Sequence, residues 1–118
     1  MLSPGSEHKI YLAKGVTDLR KSFNGLSILV KQEFELDPYD RNLYVFCNRR
    51  RNRLKILQYD HNGFALFSKA LDKGKFIWPG ADDSSLLEVT AKELSWLLHG
   101  LSLVDKLPEE GKVKRYSY

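Results

Sequence analysis

The stretch 43–78 constrains the fold most, because short apolar runs alternate there with turn residues at close spacing. Leu43–Cys47 is aromatic and β-branched on both faces, which predicts a strand that is buried on both sides. The segments between the runs are rich in Asn, Asp and Gly, the residues that favour tight turns. The pattern predicts a meander of short antiparallel strands. Beyond 43–47, the predicted strands are 53–59, 64–71 and 76–78.

Apolar residues at helical spacing precede this region and predict an amphipathic helix over 17–35. Thr17 or Asp18 is expected to cap it, because either side chain can accept a free N–H of the first turn. The helix should end before Asp37-Pro38, since a residue that precedes proline disfavours the α region. Three of the apolar residues are expected to face the sheet. They are Phe23, Leu26 and Val30.

A second helix is predicted over 90–101, with Thr90 as its cap and a leucine-rich face. A further short strand is predicted at Ile10–Ala13. At 118 residues the chain has the length of one domain. The fold class expected is therefore a single α+β domain over 10–104, an antiparallel meander of four or five strands with two helices packed on it. A flexible lead (1–9) and a polar, partly disordered tail (105–118) are expected to flank it.

The chemistry-bearing residues are scattered, which argues against an enzyme. No histidine or cysteine pair has the spacing of a metal site, and Cys47 is the sole cysteine. We interpret Cys47 as a small buried hydrophobe rather than as a thiolate partner of His61. Asp60 is interpreted as the first residue of a turn. The expectation is no catalytic residue, no metal and no cofactor.

The same features bear on the compartment. A single cysteine cannot form an internal disulfide, which fits a reducing compartment. No stretch approaches the roughly 18–20 apolar residues that a membrane span needs. We expect a cytoplasmic protein with no membrane partner.

Positive charge is concentrated in one window of the chain. The net charge is +4, yet 41–55 holds six cations and no acid, so the remainder of the chain is slightly acidic. A segregated basic patch is the usual footprint of a polyanionic partner, and a solvated turn is the alternative interpretation, to which the sequence gives nearly equal support. All but one of these cations are arginine, which binds phosphates and guanine edges in a bidentate manner.

The centre of this patch is the turn between the predicted strands 43–47 and 53–59. A two-stranded ribbon of this kind fits the major groove of DNA. A further pair of cations stands at the start of the first predicted helix, where the helix dipole prefers acids. We interpret this pair first as a solvated helix face and second as a site for an external anion. The candidate nucleic-acid-binding residues are Arg49, Arg50, Arg51, Arg53, Lys55, Arg41, Arg20 and Lys21.

Three blocks of sequence resemble a known family: 17–26, 45–57 and 63–79, with a weaker fourth at 90–101. The most specific is the middle one, in which Phe46-Cys47-Asn48-Arg49-Arg50-Arg51 leads into Leu54-Lys55-Ile56-Leu57. Together the blocks resemble the small TnpB-type accessory proteins, the second-reading-frame products of IS-sixty-six-type bacterial insertion sequences. The resemblance implies an auxiliary role in transposition, with strand transfer performed by a separate, larger transposase.

Two functions are consistent with the basic turn and with the resemblance. In the first, a non-catalytic accessory protein binds transposon DNA, at the transposon ends, through the arginine hairpin. In the second, an assembly factor binds the separate transposase or a sister accessory protein, and the hairpin meets an acidic protein surface. The arginines alone do not separate these, because both partners are polyanionic.

Overall fold

The computed structural model describes residues 8–82 and 84–99. Most of the expected lead, the whole expected tail and the last predicted residues of the second helix, Gly100 and Leu101, lie outside the described residues. The elements are β1 (Ile10–Ala13), α1 (Phe23–Glu33), β2 (Leu43–Cys47), β3 (Arg53–Asp60), β4 (Gly63–Ala70), β5 (Leu86–Val89) and α2 (Ala91–Leu98). The α+β class predicted from the sequence is confirmed.

The five strands form one sheet in the order β4-β3-β2-β1-β5. β2, β3 and β4 are joined as antiparallel neighbours, as the meander predicts. β1 instead runs parallel to β2, with Ile10 opposite Leu43. The connection between them contains α1, and such a crossover brings the chain back to the end of the sheet at which β1 began. With β5 antiparallel to β1, the sheet is mixed rather than wholly antiparallel.

The predicted strand at 76–78 is wrong. Phe76 and Trp78 are buried while Ile77 is exposed, so the burial alternates as it does in a strand. The segment is not part of the sheet, since the Phe76 N–H donates to the Arg51 carbonyl (2.6 Å). The side chain of Trp78 is anchored separately, because its indole N–H donates to the Ala13 carbonyl (2.9 Å). The fifth strand is instead β5, which the sequence interpretation did not identify.

Each face of the sheet packs against one helix. Leu26 and Val30 of α1 cover one face, which includes Tyr44 and Phe46 of β2 and Leu57 of β3. The other face is covered by α2 together with 76–78. Its buried residues include Val45, Cys47, Leu54, Ile56, Phe76, Trp78, Leu94 and Leu97. Alternate residues of β2 thus enter different cores, and every residue of this strand is buried, as predicted.

Helix α1 begins later than predicted. Its N-cap is Ser22, which makes no side-chain capping bond, and neither Thr17 nor Asp18 acts as the cap. Phe23 contacts the sheet but is not a core residue: Leu26 and Val30 are fully buried, whereas Phe23 is 48% exposed. As the first helical residue, Phe23 lies beside Phe64 of β4, with ring centroids 5.6 Å apart.

Helix α2 has the predicted cap. The Thr90 hydroxyl accepts a hydrogen bond from the Glu93 N–H (3.1 Å), and the Glu93 carboxylate accepts one from the Thr90 N–H (2.9 Å), which is a capping box. Leu94 and Leu97 on its inner face are buried. Neither helix of the described chain is long and apolar enough to cross a bilayer.

Candidate nucleic-acid interface

The turn between β2 and β3 is built on the side chain of Asn48. Its carbonyl oxygen accepts hydrogen bonds from the N–H groups of Asn52 and Arg53 (both 3.1 Å), and its amide nitrogen donates to the Asn52 side chain (2.9 Å). Arg51 takes the left-handed conformation (φ 59°), which an L-residue adopts at a cost. The turn is therefore a defined structure that presents its arginines from fixed positions. We call 48–53 the arginine turn.

Three other segments hold the arginine turn at the end of the sheet. The Asn52 carbonyl accepts from the Leu71 N–H (2.7 Å), and the Arg51 carbonyl accepts from the Phe76 N–H. The carbonyl of Cys47, just before the turn, accepts from the Thr17 N–H (2.8 Å). β2 and β3 are also flanked by β1 and β4. The strand pair that carries the arginine turn is therefore part of a five-stranded sheet rather than a ribbon that stands apart from it.

A groove of about 880 Å³ lies between the arginine turn and the loop 16–20. Lys55 of β3 and Ser68 of β4, which are paired across the two strands, contribute to its lining. Among the described residues, Asp18 is the only acid in the lining. The lining cations, which come from three separate parts of the sequence, are Arg20, Arg49, Arg50, Arg53, Lys55 and Lys69. We call this site the basic groove.

Three of the lining cations are available to a ligand. Arg49, Arg50 and Arg53 are exposed, and no hydrogen-bond or ion-pair partner meets their guanidinium groups among residues 8–82 and 84–99. Guanidinium groups on a well-ordered turn keep their charge and their bidentate donor geometry for a phosphate or a carboxylate. These three residues are therefore the best candidates in the site for direct contact with an anion.

Arg20 is already engaged by Asp18. Its Nε and Nη2 donate to the two carboxylate oxygens of Asp18 (2.9 and 2.8 Å), and the Arg20 N–H donates to the same carboxylate. These hydrogen bonds hold the pKa of Asp18 well below its usual range, so the carboxylate stays charged and offsets the guanidinium. Arg20 thus supplies less free positive charge than Arg49, Arg50 or Arg53.

The two lysines of the lining hold neighbouring segments in place. The Lys55 Nζ donates to the Leu19 carbonyl (2.7 Å) and lies 3.5 Å from the Lys21 carbonyl, which pins the loop 16–20 over the sheet. The Lys69 Nζ donates to the Leu98 carbonyl at the end of α2 (2.7 Å). Lys69 was not among the predicted residues; its only signal in the sequence is a lone cation in an otherwise uncharged strand.

The other predicted cations lie outside the lining. Arg51 belongs to the arginine turn, and Lys21 follows the loop, but neither lines the groove. Arg41 precedes β2 at the opposite end of that strand, where its carbonyl accepts from the Gln58 side chain (2.9 Å). The structure therefore brings five of the eight predicted residues together around one groove and leaves Arg41 remote from it.

The nucleophile considered in the sequence is inert in this setting. Cys47 is buried, as predicted, and burial raises the pKa of its thiol to about 11. Cys47 pairs with Leu54 at one end of β3, whereas His61 follows the other end, so the two do not meet. Within 8–82 and 84–99, no three His, Cys, Asp or Glu side chains gather as metal ligands would.

Comparison with known proteins identifies the family. The model of the IS66 Orf2-like proteins matches residues 8–107. Two uncharacterized proteins of Sinorhizobium fredii, y4hO and y4jC, are 38% and 36% identical to the chain over 101 residues. Each alignment covers 86% of the chain, with 87% of y4hO and 86% of y4jC. No solved structure matches the chain. The chain thus belongs to the IS66 Orf2-like family, whose members are accessory proteins associated with insertion sequences.

Proposed function

We propose that this protein is a non-catalytic accessory factor of transposition that binds transposon DNA through the basic groove. Membership of the IS66 Orf2-like family supports the link to insertion sequences. The composition of the groove supports a polyanionic ligand, since six cations and one acid line it. Transposon DNA is the polyanion that such a factor would meet in its own pathway.

The observation that carries the proposal is the set of three partnerless arginines on a hydrogen-bonded turn. Arg49, Arg50 and Arg53 need no rearrangement of the turn to meet an anion, because its hydrogen bonds involve Asn48 and main-chain groups. Phosphate contacts supply most of the affinity in nonspecific DNA binding and a large share of it in specific binding. The mode proposed is therefore backbone recognition by a concave, preformed surface rather than insertion of a ribbon.

Fluorescence anisotropy with a labelled duplex of the transposon end tests the proposal. Replacement of Arg49, Arg50 and Arg53 by alanine should weaken binding at physiological salt. The slope of log K against log salt should shrink by about 0.9 for each phosphate that the variant no longer neutralises.

The matched control removes three exposed cations outside the groove: Lys31, Lys73 and Lys92. It changes the net charge by the same amount and should retain most of the slope. Equal losses of affinity and slope in both triple variants would mean that DNA responds to the net charge of the protein and not to the groove. An unchanged slope in the arginine variant would remove the groove from the DNA-binding surface.

A second candidate function, assembly with the transposase or a sister accessory protein, is favoured by the edge strand β4. Among the strands of the described residues, β4 has a neighbour on one side only, and its Leu66 and Phe67 are exposed apolar side chains. An exposed edge with apolar side chains is a common site of protein association. The test is capture of the purified transposase by the immobilised protein. A complex formed through β4 should survive excess duplex DNA, whereas one formed through the basic groove should be displaced by it.

A further inference from the structure

Four aromatic rings form a partly exposed cluster on the α1 face of the sheet. Tyr39 contacts Tyr59 and Phe64 with ring centroids 5.0 and 5.3 Å apart, Tyr59 contacts Phe64 at 5.3 Å, and Phe23 contacts Phe64 at 5.6 Å. Tyr39 is 59% exposed and Phe23 is 48% exposed. We call these four residues the aromatic patch. Two large rings are thus left open to solvent, supported by two partly buried ones.

The loop that carries Tyr39 has a fixed shape. The Asp37 carboxylate accepts from the Tyr39 N–H (2.9 Å), and the Asp37 carbonyl accepts from the Asp40 N–H (3.1 Å). Tyr59 and Phe64 are directly paired across β3 and β4. The exposed rings are therefore held in position before any ligand arrives, so that little conformational entropy is lost on binding.

The aromatic patch and the basic groove lie on the same face of the same two strands. The Lys55–Ser68 pair lines the groove and the Tyr59–Phe64 pair belongs to the patch. These pairs are four residues apart, an even number, so their side chains share a face. At strand rise the separation is about 13 Å. The Leu57–Leu66 pair lies between them, and Leu66 is exposed.

Charge differs sharply between the two ends of this strip. The groove end holds the free arginines, whereas the residues close in sequence to the rings at the other end include three aspartates and one arginine: Asp37, Asp40, Asp60 and Arg41. Phosphates are therefore attracted more strongly to the groove than to the patch. A ligand that suits both ends carries negative charge at one point and uncharged planar groups a short distance away.

We propose that the nucleic acid bound here is single-stranded DNA, with its phosphates in the basic groove and its unstacked bases on Tyr39 and Phe23. This inference rests on the proposed function. Every base offers a ring face to an aromatic side chain once it is unstacked. A duplex keeps its bases stacked inside and presents only its backbone and the base edges in its grooves. An intact duplex would therefore use the groove and leave the patch empty.

The test measures anisotropy with three labelled probes of equal length: single-stranded DNA, the same sequence as a duplex, and a single strand with abasic sites. The wild-type protein should bind the single strand more tightly than either other probe. The double variant Phe23→Leu, Tyr39→Leu keeps apolar side chains and removes the rings. It should lose single-strand affinity by about tenfold or more, as expected for the loss of base stacking. Its affinity for the duplex and for the abasic strand should change less than twofold.

Two controls separate the inference from the proposed function. Ile77→Ala truncates an exposed apolar residue on the other side of the sheet and should leave all three affinities unchanged. Tyr39→Phe should retain single-strand binding.

If the wild-type protein binds none of the probes, both proposals fail. If it binds duplex and single strand equally and the double variant behaves like wild type, the single-strand inference fails while DNA binding by the groove stands. Loss of transposase capture by the double variant, with unchanged DNA affinities, would overturn the inference in favour of a protein-binding patch.

Discussion

The thiol of Cys47 lies fully buried in β2, in the core between the sheet and α2. Burial raises its pKa from the ordinary 9.0 to about 11, and the Asn48 N–H and the Arg51 charge offset only part of that rise. In the folded protein the proton is therefore retained at pH values where the unfolded chain releases it. The contribution of the shielded thiol to stability should be complete below pH 9. The free energy of unfolding should then fall as the pH rises from 9 towards 11.

Denaturation by urea at pH 7.5 and 9.5 measures this loss. Between these two pH values, the free energy of unfolding of the wild-type protein should fall by about 1 kcal/mol more than that of the variant Cys47→Val, which has no thiol to ionise. Burial and the Asp40 carboxylate raise the pKa of the Tyr44 phenol as well, but the loss that follows from this begins near its ordinary pKa of 10.0, above the upper pH, and is common to both proteins. An identical pH dependence in both proteins would show that the thiol is not shielded from water.

Asn48 organises the arginine turn through three side-chain hydrogen bonds, two accepted and one donated. Asn48→Ala should lower the free energy of unfolding by about 1–3 kcal/mol, since it leaves the N–H groups of Asn52 and Arg53 without their acceptor. Arg49→Ala and Arg50→Ala, which remove exposed side chains of the same turn, should stay within about 0.5 kcal/mol of wild type. Urea denaturation of the three variants makes the comparison. Comparable stability of all three would mean that the turn does not depend on Asn48.

Helix α1 shows how the start of an element decides which residues are buried. The spacing of Phe23, Leu26 and Val30 suits one helical face, yet only Leu26 and Val30 are covered. Leu26→Ala should cost about 2–5 kcal/mol because it opens a cavity against the sheet. Phe23→Ala should cost less than about 1 kcal/mol, since the ring is half exposed and contacts mainly Phe64. Thermal or urea unfolding ranks the two variants. A Phe23 variant as unstable as the Leu26 variant would place Phe23 in the core.

Local patterns are sufficient for some strands and misleading for others. β2 and β3 were predictable because Leu43–Cys47 is apolar throughout and a turn follows it directly. The run 76–78 has the alternation of a strand, but Phe76 and Trp78 fill the core, and the Phe76 N–H bonds to a turn carbonyl instead of a ladder. β5 has only four residues and is partly exposed. Its pairing with β1, more than seventy residues earlier, leaves no local signal.

At the scale of the molecule, the basic groove was predictable only in part. The window 41–55 showed where the arginines concentrate, and a turn was the expected place for them. The groove itself forms because the Thr17 N–H bonds to the Cys47 carbonyl and the Lys55 ammonium bonds to the Leu19 carbonyl. These contacts join segments about thirty or more residues apart, so no local pattern in the sequence predicts them. The aromatic patch has the same origin, since Tyr39 and Phe23 reach Phe64 only through the fold.

The distribution of carboxylates bears on whether the protein cuts DNA itself. Two-metal strand transfer needs acids that converge on ions about 3.5–4 Å apart. Asp60 ends β3 and Asp72 follows β4, so the eight residues of β4, about 26 Å at strand rise, separate their turns. Within 8–82 and 84–99, no cluster of three potential ligands compensates for this separation.

Incubation of the purified protein with labelled transposon-end DNA and Mg²⁺ or Mn²⁺ should therefore yield no nicked and no joined product on a denaturing gel. The triple variant of Arg49, Arg50 and Arg53 serves as the control for binding, because any contaminating nuclease would act equally in both samples. Cleavage that requires the metal ion and disappears in Asp60→Ala would contradict the accessory role and would make this small protein an enzyme. Cleavage that persists in both Asp60→Ala and the arginine variant would instead indicate a nuclease activity that depends neither on Asp60 nor on DNA binding in the groove.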